Sequence, residues 1–262
     1  MLGFSVMPLP RAVAPLATLL LLAALIPAPA RAQVAAADSG RLIVFDGDIP
    51  IAHERFSFQF QGDSLLLTAV SERRLQDEQG QRHLFRKTML LVADSRDFGL
   101  RRYFSVQEFQ GRKTTRGLVP GDTSITYYVE YDGLGEADRL VQPPGRLYVL
   151  DSSLFSLFEV LCRGLAGRTF TTRPVQMLAL TDTMTTPLAT VTMLRPDTLR
   201  WAGGSVATRH YRFEDESAVF ELWADSRGRL VRLTHSASAL HVEREPDAPA
   251  PAPRRKAARR AG

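Results

Sequence analysis

One segment interrupts an otherwise continuous succession of strand-patterned sequence, and it restricts what the remainder can build. Residues 151–167 read Asp-Ser-Ser-Leu-Phe-Ser-Leu-Phe-Glu-Val-Leu-Cys-Arg-Gly-Leu-Ala-Gly. Leu154, Phe155, Phe158, Leu161 and Leu165 recur at helical spacing and form one apolar stripe. Asp151 or Ser152 is expected to cap the N-terminus by accepting a backbone N–H bond. Gly164 and Gly167 supply the exit. A lone apolar helix between two runs of strands buries its stripe against the face of a sheet, which it then covers.

The flanking sequence has the period of two that a strand with one wet and one buried face requires. Phe56, Phe58 and Phe60 alternate with Ser57 and Gln59. Tyr127, Val129 and Tyr131 share a face in the same way. Turn signals divide the chain closely: Gly62-Asp63-Ser64, Pro120-Gly121-Asp122, Gly203-Gly204, and Asp225-Ser226-Arg227-Gly228, which suits a type I turn. Residues 132–145, rich in glycine and ending in Pro143-Pro144-Gly145, read as a long loop. About eleven strands and no internal boundary predict a single mainly β domain over residues 41–245. A flat sheet of that size curls, so the expectation is one large curved antiparallel sheet, a half-barrel, with the helix near 151–165 covering it.

The first 32 residues do not belong to that fold. A nearly unbroken Leu/Ala run from 12 to 26 precedes Ala30-Arg31-Ala32, the pattern of a secretory signal peptide cleaved after Ala32. The run is short for a membrane span, which needs about 20 residues. Export to the periplasm or medium follows, with a flexible leader over 33–40 and no transmembrane segment after cleavage. The tail 246–262, built of Ala, Pro and Arg, cannot bury a core and is expected to be disordered. Of 33 Lys and Arg, seven lie in the signal peptide and the last nine residues, leaving 26 against 28 acidic side chains. The formal charge of +5 therefore resides in a tail, not in a basic binding face. That tail either has no role or is attracted to an anionic envelope surface; export argues against nucleic acid.

Catalytic patterns are missing from the sequence. There is no Gly-x-Ser-x-Gly elbow, His-Glu-x-x-His, Cys-x-x-Cys or phosphate-binding glycine loop. His83, His210 and His235 lie on predicted strands, either converging or separately hydrogen-bonded. Asp46/Asp48 and Asp132/Glu136/Asp138 either hold a hard cation or serve their turns. The balance of these readings is no metal, no cofactor and no enzyme, although a carboxylate pair for glycoside hydrolysis leaves no spacing signature. Cys162, the single cysteine, forms no internal disulfide and reads as a small buried apolar side chain.

Aromatic side chains offer more. Phe56, Phe58, Phe60, Tyr127, Tyr131 and Trp223, with Phe155 and Phe158 of the helix, are the candidate ligand-binding residues. On the inside of a curved sheet they form an apolar wall, which is either a filled core or one side of an adaptable cavity.

The hairpin Glu221-Leu-Trp-Ala-Asp-Ser-Arg-Gly-Arg-Leu-Val-Arg-Leu, the preceding Thr208-Arg-His-Tyr-Arg-Phe, and Asp151-Ser-Ser-Leu-Phe-Ser-Leu carry a resemblance. Together they resemble an exported bacterial family of unknown function whose members end in a Trp-x-Asp/Pro-x-x-Gly strand pair. Its fold is similar to the half-barrel of LolA/LolB-type lipoprotein carriers. The resemblance implies an unclosed barrel lidded by a helix, handling lipid or lipoprotein acyl chains, with no catalytic residue to transfer. The chain lacks the lipid-anchoring Cys of the LolB type. The function expected first is therefore an exported protein binding an apolar ligand between sheet and helix. A non-catalytic envelope scaffold or interaction module with a filled core is the alternative, and an uncharacterised hydrolase the third.

Overall fold

The computed structural model describes residues 38–76, 79–180, 184–201 and 204–246. The expected signal peptide, most of the leader and the tail from 247 lie outside them. The chain opens with a meander of eight strands: β1 (Asp38–Asp46), β2 (Ile49–Gln61), β3 (Ser64–Gln76), β4 (Arg82–Asp94), β5 (Leu100–Phe109), β6 (Arg112–Pro120), β7 (Ser124–Tyr131) and β8 (Leu134–Val141). Each pairs antiparallel with the next. Then come β9 (Leu147–Leu150), the helix α1 (Ser156–Leu165) and β10 (Thr172–Leu180). β9 and β10 pair in parallel, with α1 as the crossover that a parallel pair requires.

The second half adds β11 (Met184–Thr185), β12 (Leu188–Met193), β13 (Asp197–Trp201), β14 (Gly204–Glu214), β15 (Val219–Ala224), β16 (Leu230–His235) and β17 (Leu240–Arg244). β10 pairs β12 and β12 pairs β14, while β13 shares that edge of β14. β14 to β17 follow as antiparallel neighbours. β17 pairs β1, whose other edge holds β2, so both halves join into one sheet. The sheet is curved and unclosed: β9 lies against β5 without pairing to it. Register shifts at Val44/Phe45, Val92/Ala93 and Trp223/Ala224 bend the strands locally.

Period two decides which side chains face inward. On β2, Ala52, Glu54, Phe56 and Phe58 are buried while Ile51, His53 and Arg55 are exposed. On β4 the inward set is Phe85, Lys87, Met89, Leu91 and Ala93. α1 is buried on nearly every face; of its ten residues only Arg163 is not fully buried. The curved sheet thus wraps the helix as much as the helix covers the sheet, as an apolar helix inside a core does. Helical structure begins at Ser156, five residues after Asp151, because 151–154 form a tight turn in which the Leu154 amide donates to the Asp151 carbonyl at 3.0 Å.

Three strands depart from the sequence expectation: β8, β17 and the two-residue β11. Within the supposed loop 132–145 lies β8, paired to β7 through a turn with positive φ at Asp132 (48°) and Gly133 (89°). Its residues are exposed apart from half-buried Leu140, so it carries no alternation to read. β17 follows a short turn after β16 and is held by pairing to β1, about 200 residues away in the chain.

Candidate functional site

The interior contains charge, and that charge positions the helix. Glu54 on β2 sits opposite Ser71 on β3, and Ser71 opposite Lys87 on β4, giving one inward row of polar side chains. Glu54 is fully buried. Its Oε2 accepts from the Phe155 amide at 2.7 Å and its Oε1 from the Ser156 amide at 3.0 Å. These are amides of the first turn of α1, which have no intrahelical partner. The helix is therefore capped from a strand a hundred residues earlier, and neither Asp151 nor Ser152 caps it. Burial pushes the Glu54 carboxyl up to about 7, against the opposing hydrogen bonds of the helix N-terminus.

Asp151 has other partners. Its Oδ2 lies 2.6 Å from Lys87 Nζ and accepts from the Tyr103 hydroxyl at 2.8 Å, and its Oδ1 accepts from the Ser153 amide at 3.1 Å. Lys87 and Asp151 are both almost wholly buried, so the pair is desolvated on both sides. Burial, together with the Asp151 charge, raises the Tyr103 phenol well above its ordinary value. Further along α1, Glu159 accepts from Arg244 Nη1 at 2.7 Å, from Arg163 Nη2 at 2.7 Å and from the Leu230 amide at 3.2 Å. Arg163 also binds Asp38. The Arg163 and Arg244 guanidinium groups lie 4.3 Å and 5.2 Å from the ring centres of Phe58 and Phe56. Each of these buried carboxylates is engaged, and together they hold the helix in place.

An open groove of about 350 Å³ lies beside the N-terminal end of α1. Phe155 and Phe158 line it from the helix side, Leu150 and Leu180 from the ends of β9 and β10, and Phe220 and Leu240 from β15 and β17. The Phe158 and Phe220 rings meet at 5.1 Å and 54°, forming an aromatic corner. The polar residues in the lining are Asp151, Ser152, Asp215, Ser217, His235 and Ser238. The volume is near the lower end of the range for small-molecule sites, and the apolar walls with a few polar groups match their usual composition. A second cleft of about 550 Å³, where β2 begins and β3 ends, is lined by Arg73, Arg74, Arg82, Glu72 and His53 beside Ile49 and Ile51. It is the more polar of the two.

Of the aromatic candidates named from the sequence, Phe155 and Phe158 reach the groove. Phe56 and Phe58 are buried edge to face at 5.6 Å in the interior, under the two arginines. Phe60 is half-buried against the core. The Tyr127 hydroxyl donates to Asp138, and Tyr131 is 52% exposed on β7. Trp223 lies on the outer face of β15, stacked on His210 at 4.3 Å, with its indole N–H donating to Asp197. Phe220, Leu180, Leu240 and Asp215 were missed. Their common signal is that each sits within five residues of a strand end, and nothing in sequence shows which strand ends converge.

The three strand histidines serve separately. His210 contacts Glu221 at 2.9 Å, His235 contacts Ser238 at 2.8 Å, and His83 lies edge-on to Phe109. Among the described residues no three His, Cys, Asp or Glu side chains gather in a metal-binding arrangement. Cys162 is fully buried, which pushes its thiol well up and leaves it protonated. No helix among those residues is long and apolar enough to cross a membrane.

No family model matches the sequence, and no curated protein matches it. Solved structures similar to it include the following two. One is a β-barrel-like protein of the domain of unknown function DUF1849 from Brucella abortus, with a TM-score of 0.52 at 9% identity, over 80% of this chain and 94% of that one. The other is a DUF1089 family protein from Pseudomonas aeruginosa, with a TM-score of 0.44 at 14% identity, over 70% of this chain and 89% of that one. At such identities the likeness to the Brucella protein concerns the fold alone.

Proposed function

We propose that this protein is an exported, non-catalytic binder of an apolar ligand, an acyl chain or other lipid moiety, held in the groove beside α1. The observation that carries the reading is the groove itself: three phenylalanines and three leucines converge from five separate elements on about 350 Å³ of open space. Burying those walls under a ligand removes apolar surface from water at roughly 25 cal/mol per Å². A chain with no use for the space has good reason to fill it. The Leu/Ala run and Ala30-Arg31-Ala32 support the exported location. The β-barrel-like fold of the Brucella protein is compatible with this reading.

Binding of the uncharged probe N-phenyl-1-naphthylamine tests the proposal. Its fluorescence should rise on addition of protein, and Phe158→Ala should weaken that rise. Native mass spectrometry of the protein as purified should show added mass in the lipid range. A wild-type protein that leaves the probe dark and carries no added mass ends the carrier reading. The second reading is an envelope interaction module with a filled core. It is favoured by one specific observation, that α1 fills the interior and leaves the groove at its margin.

A further inference from the structure

The charges around the groove point to the kind of head its ligand carries. No lysine or arginine lines it. Of the two aspartates that do, Asp151 is neutralised by Lys87. Asp215 is not: its Oδ1 accepts from the Ser217 amide, the Ser217 hydroxyl and the Ala218 amide, each at 2.8 Å, and among the described residues it forms no ion pair. The groove thus presents one anionic side chain held rigidly by its own turn. Its walls add three phenylalanine rings, Phe155, Phe158 and Phe220, with the Phe158 and Phe220 rings set at an angle to one another. An aromatic ring carries negative charge density on its face and attracts a cation there, the more so when the cation is weakly hydrated, as quaternary ammonium groups are. His235 is the one lining side chain able to bear positive charge, and it is engaged with Ser238 and packed against Phe220.

The geometry points to a ligand with a cationic head, of the quaternary ammonium class, and an apolar chain. The inference rests on the groove being a lipid site, as set out above, and adds the sign of the head. The chain lies along the leucines, while aromatic faces and the Asp215 carboxylate supply the negative potential that the head meets. A free fatty acid brings a carboxylate into the same field without a cation to receive it, and is disfavoured.

Displacement of N-phenyl-1-naphthylamine from the full-length protein at pH 8.5 provides the test. Three twelve-carbon amphiphiles are compared below their micellar concentrations: dodecyltrimethylammonium, monododecanoylglycerol and dodecanoate. The ammonium should displace the probe at the lowest concentration and dodecanoate at about tenfold higher or more, with the glyceride between. Asp215→Asn keeps the oxygen that holds the turn and removes the charge. It should bring ammonium and glyceride together by weakening the ammonium more than the glyceride. Phe220→Leu keeps an apolar wall without a π face and should weaken the ammonium more than the glyceride. Dodecanoate binding as well as the ammonium, or an order unchanged in both variants, overturns the inference while leaving the lipid site standing. Absence of any probe binding overturns the lipid site and this inference together.

Discussion

Glu54 makes a quantitative prediction because its environment sets burial against helix capping. The carboxyl is wholly buried, accepts two amides of α1 and is pushed from 4.5 up to about 7. The folded protein therefore holds this proton to higher pH than the unfolded chain does. The sign follows: the stabilising contribution is full below 4.5 and is lost as pH rises through about 7. Each tenfold change in proton affinity is worth about 1.4 kcal/mol, so the loss across the window is about 3 kcal/mol. That is a large share of a typical stability of roughly 5–15 kcal/mol. Glu54→Gln fixes the side chain in an uncharged form. Urea unfolding midpoints of wild type and variant, taken from pH 4.5 to pH 8, give the difference in stability at each pH. The wild type should lose about 3 kcal/mol relative to the variant over that range. Only the change in the difference matters, so a constant cost of the amide does not enter. Parallel curves, or a wild type that gains on the variant as pH rises, refute the reasoning. Either would mean that the helix N-terminus, not burial, dominates the carboxylate.

Three further predictions concern other contacts of the helix. Phe158 is 4% exposed and packs on Phe213 at 5.7 Å as well as on Phe220; Phe158→Ala should cost about 3–5 kcal/mol in equilibrium unfolding. The same change should weaken N-phenyl-1-naphthylamine binding, whereas Trp223→Ala, on the outer face, should leave it unchanged. Arg244→Ala leaves Glu159 with one fewer buried cation and should lower stability by about 3–5 kcal/mol, measured by urea denaturation. A loss below about 1 kcal/mol, the scale of an exposed ion pair, would show that the pair is solvated. Gly228 has φ +79°, and a Cβ there would stand 2.7 Å from the Arg163 Cα. Gly228→Ala should therefore lower the unfolding midpoint by the equivalent of about 1–3 kcal/mol; an unchanged midpoint would show that the turn can move off the helix.

Much of the architecture was legible because strands announce themselves locally. The Phe56, Phe58, Phe60 alternation and the Asp225 to Gly228 turn are read from neighbours in sequence, and both stand as strand and turn in the structure. β8 was not legible, because an edge strand wet on both faces has no apolar period and is made by its pairing to β7 alone. The same limit applies to the helix cap. Asp151 has the chemistry of an N-cap, yet the helix starts five residues further on, Lys87 and Tyr103 bind the Asp151 carboxylate, and Glu54 takes the helix amides. That exchange depends on the register that sets Glu54, Ser71 and Lys87 in one inward row. Sequence alone determined the fold class, the one helix among the described residues and its apolar stripe, since each follows from periodicity within some ten residues. Tertiary structure alone decided that the helix is buried on nearly every face, that Trp223 faces outward, and that Phe155 and Phe158 meet Phe220 at a groove. Those outcomes depend on strand register and on pairings such as β1 with β17, in which the partners are about 200 residues apart and carry no local mark of one another.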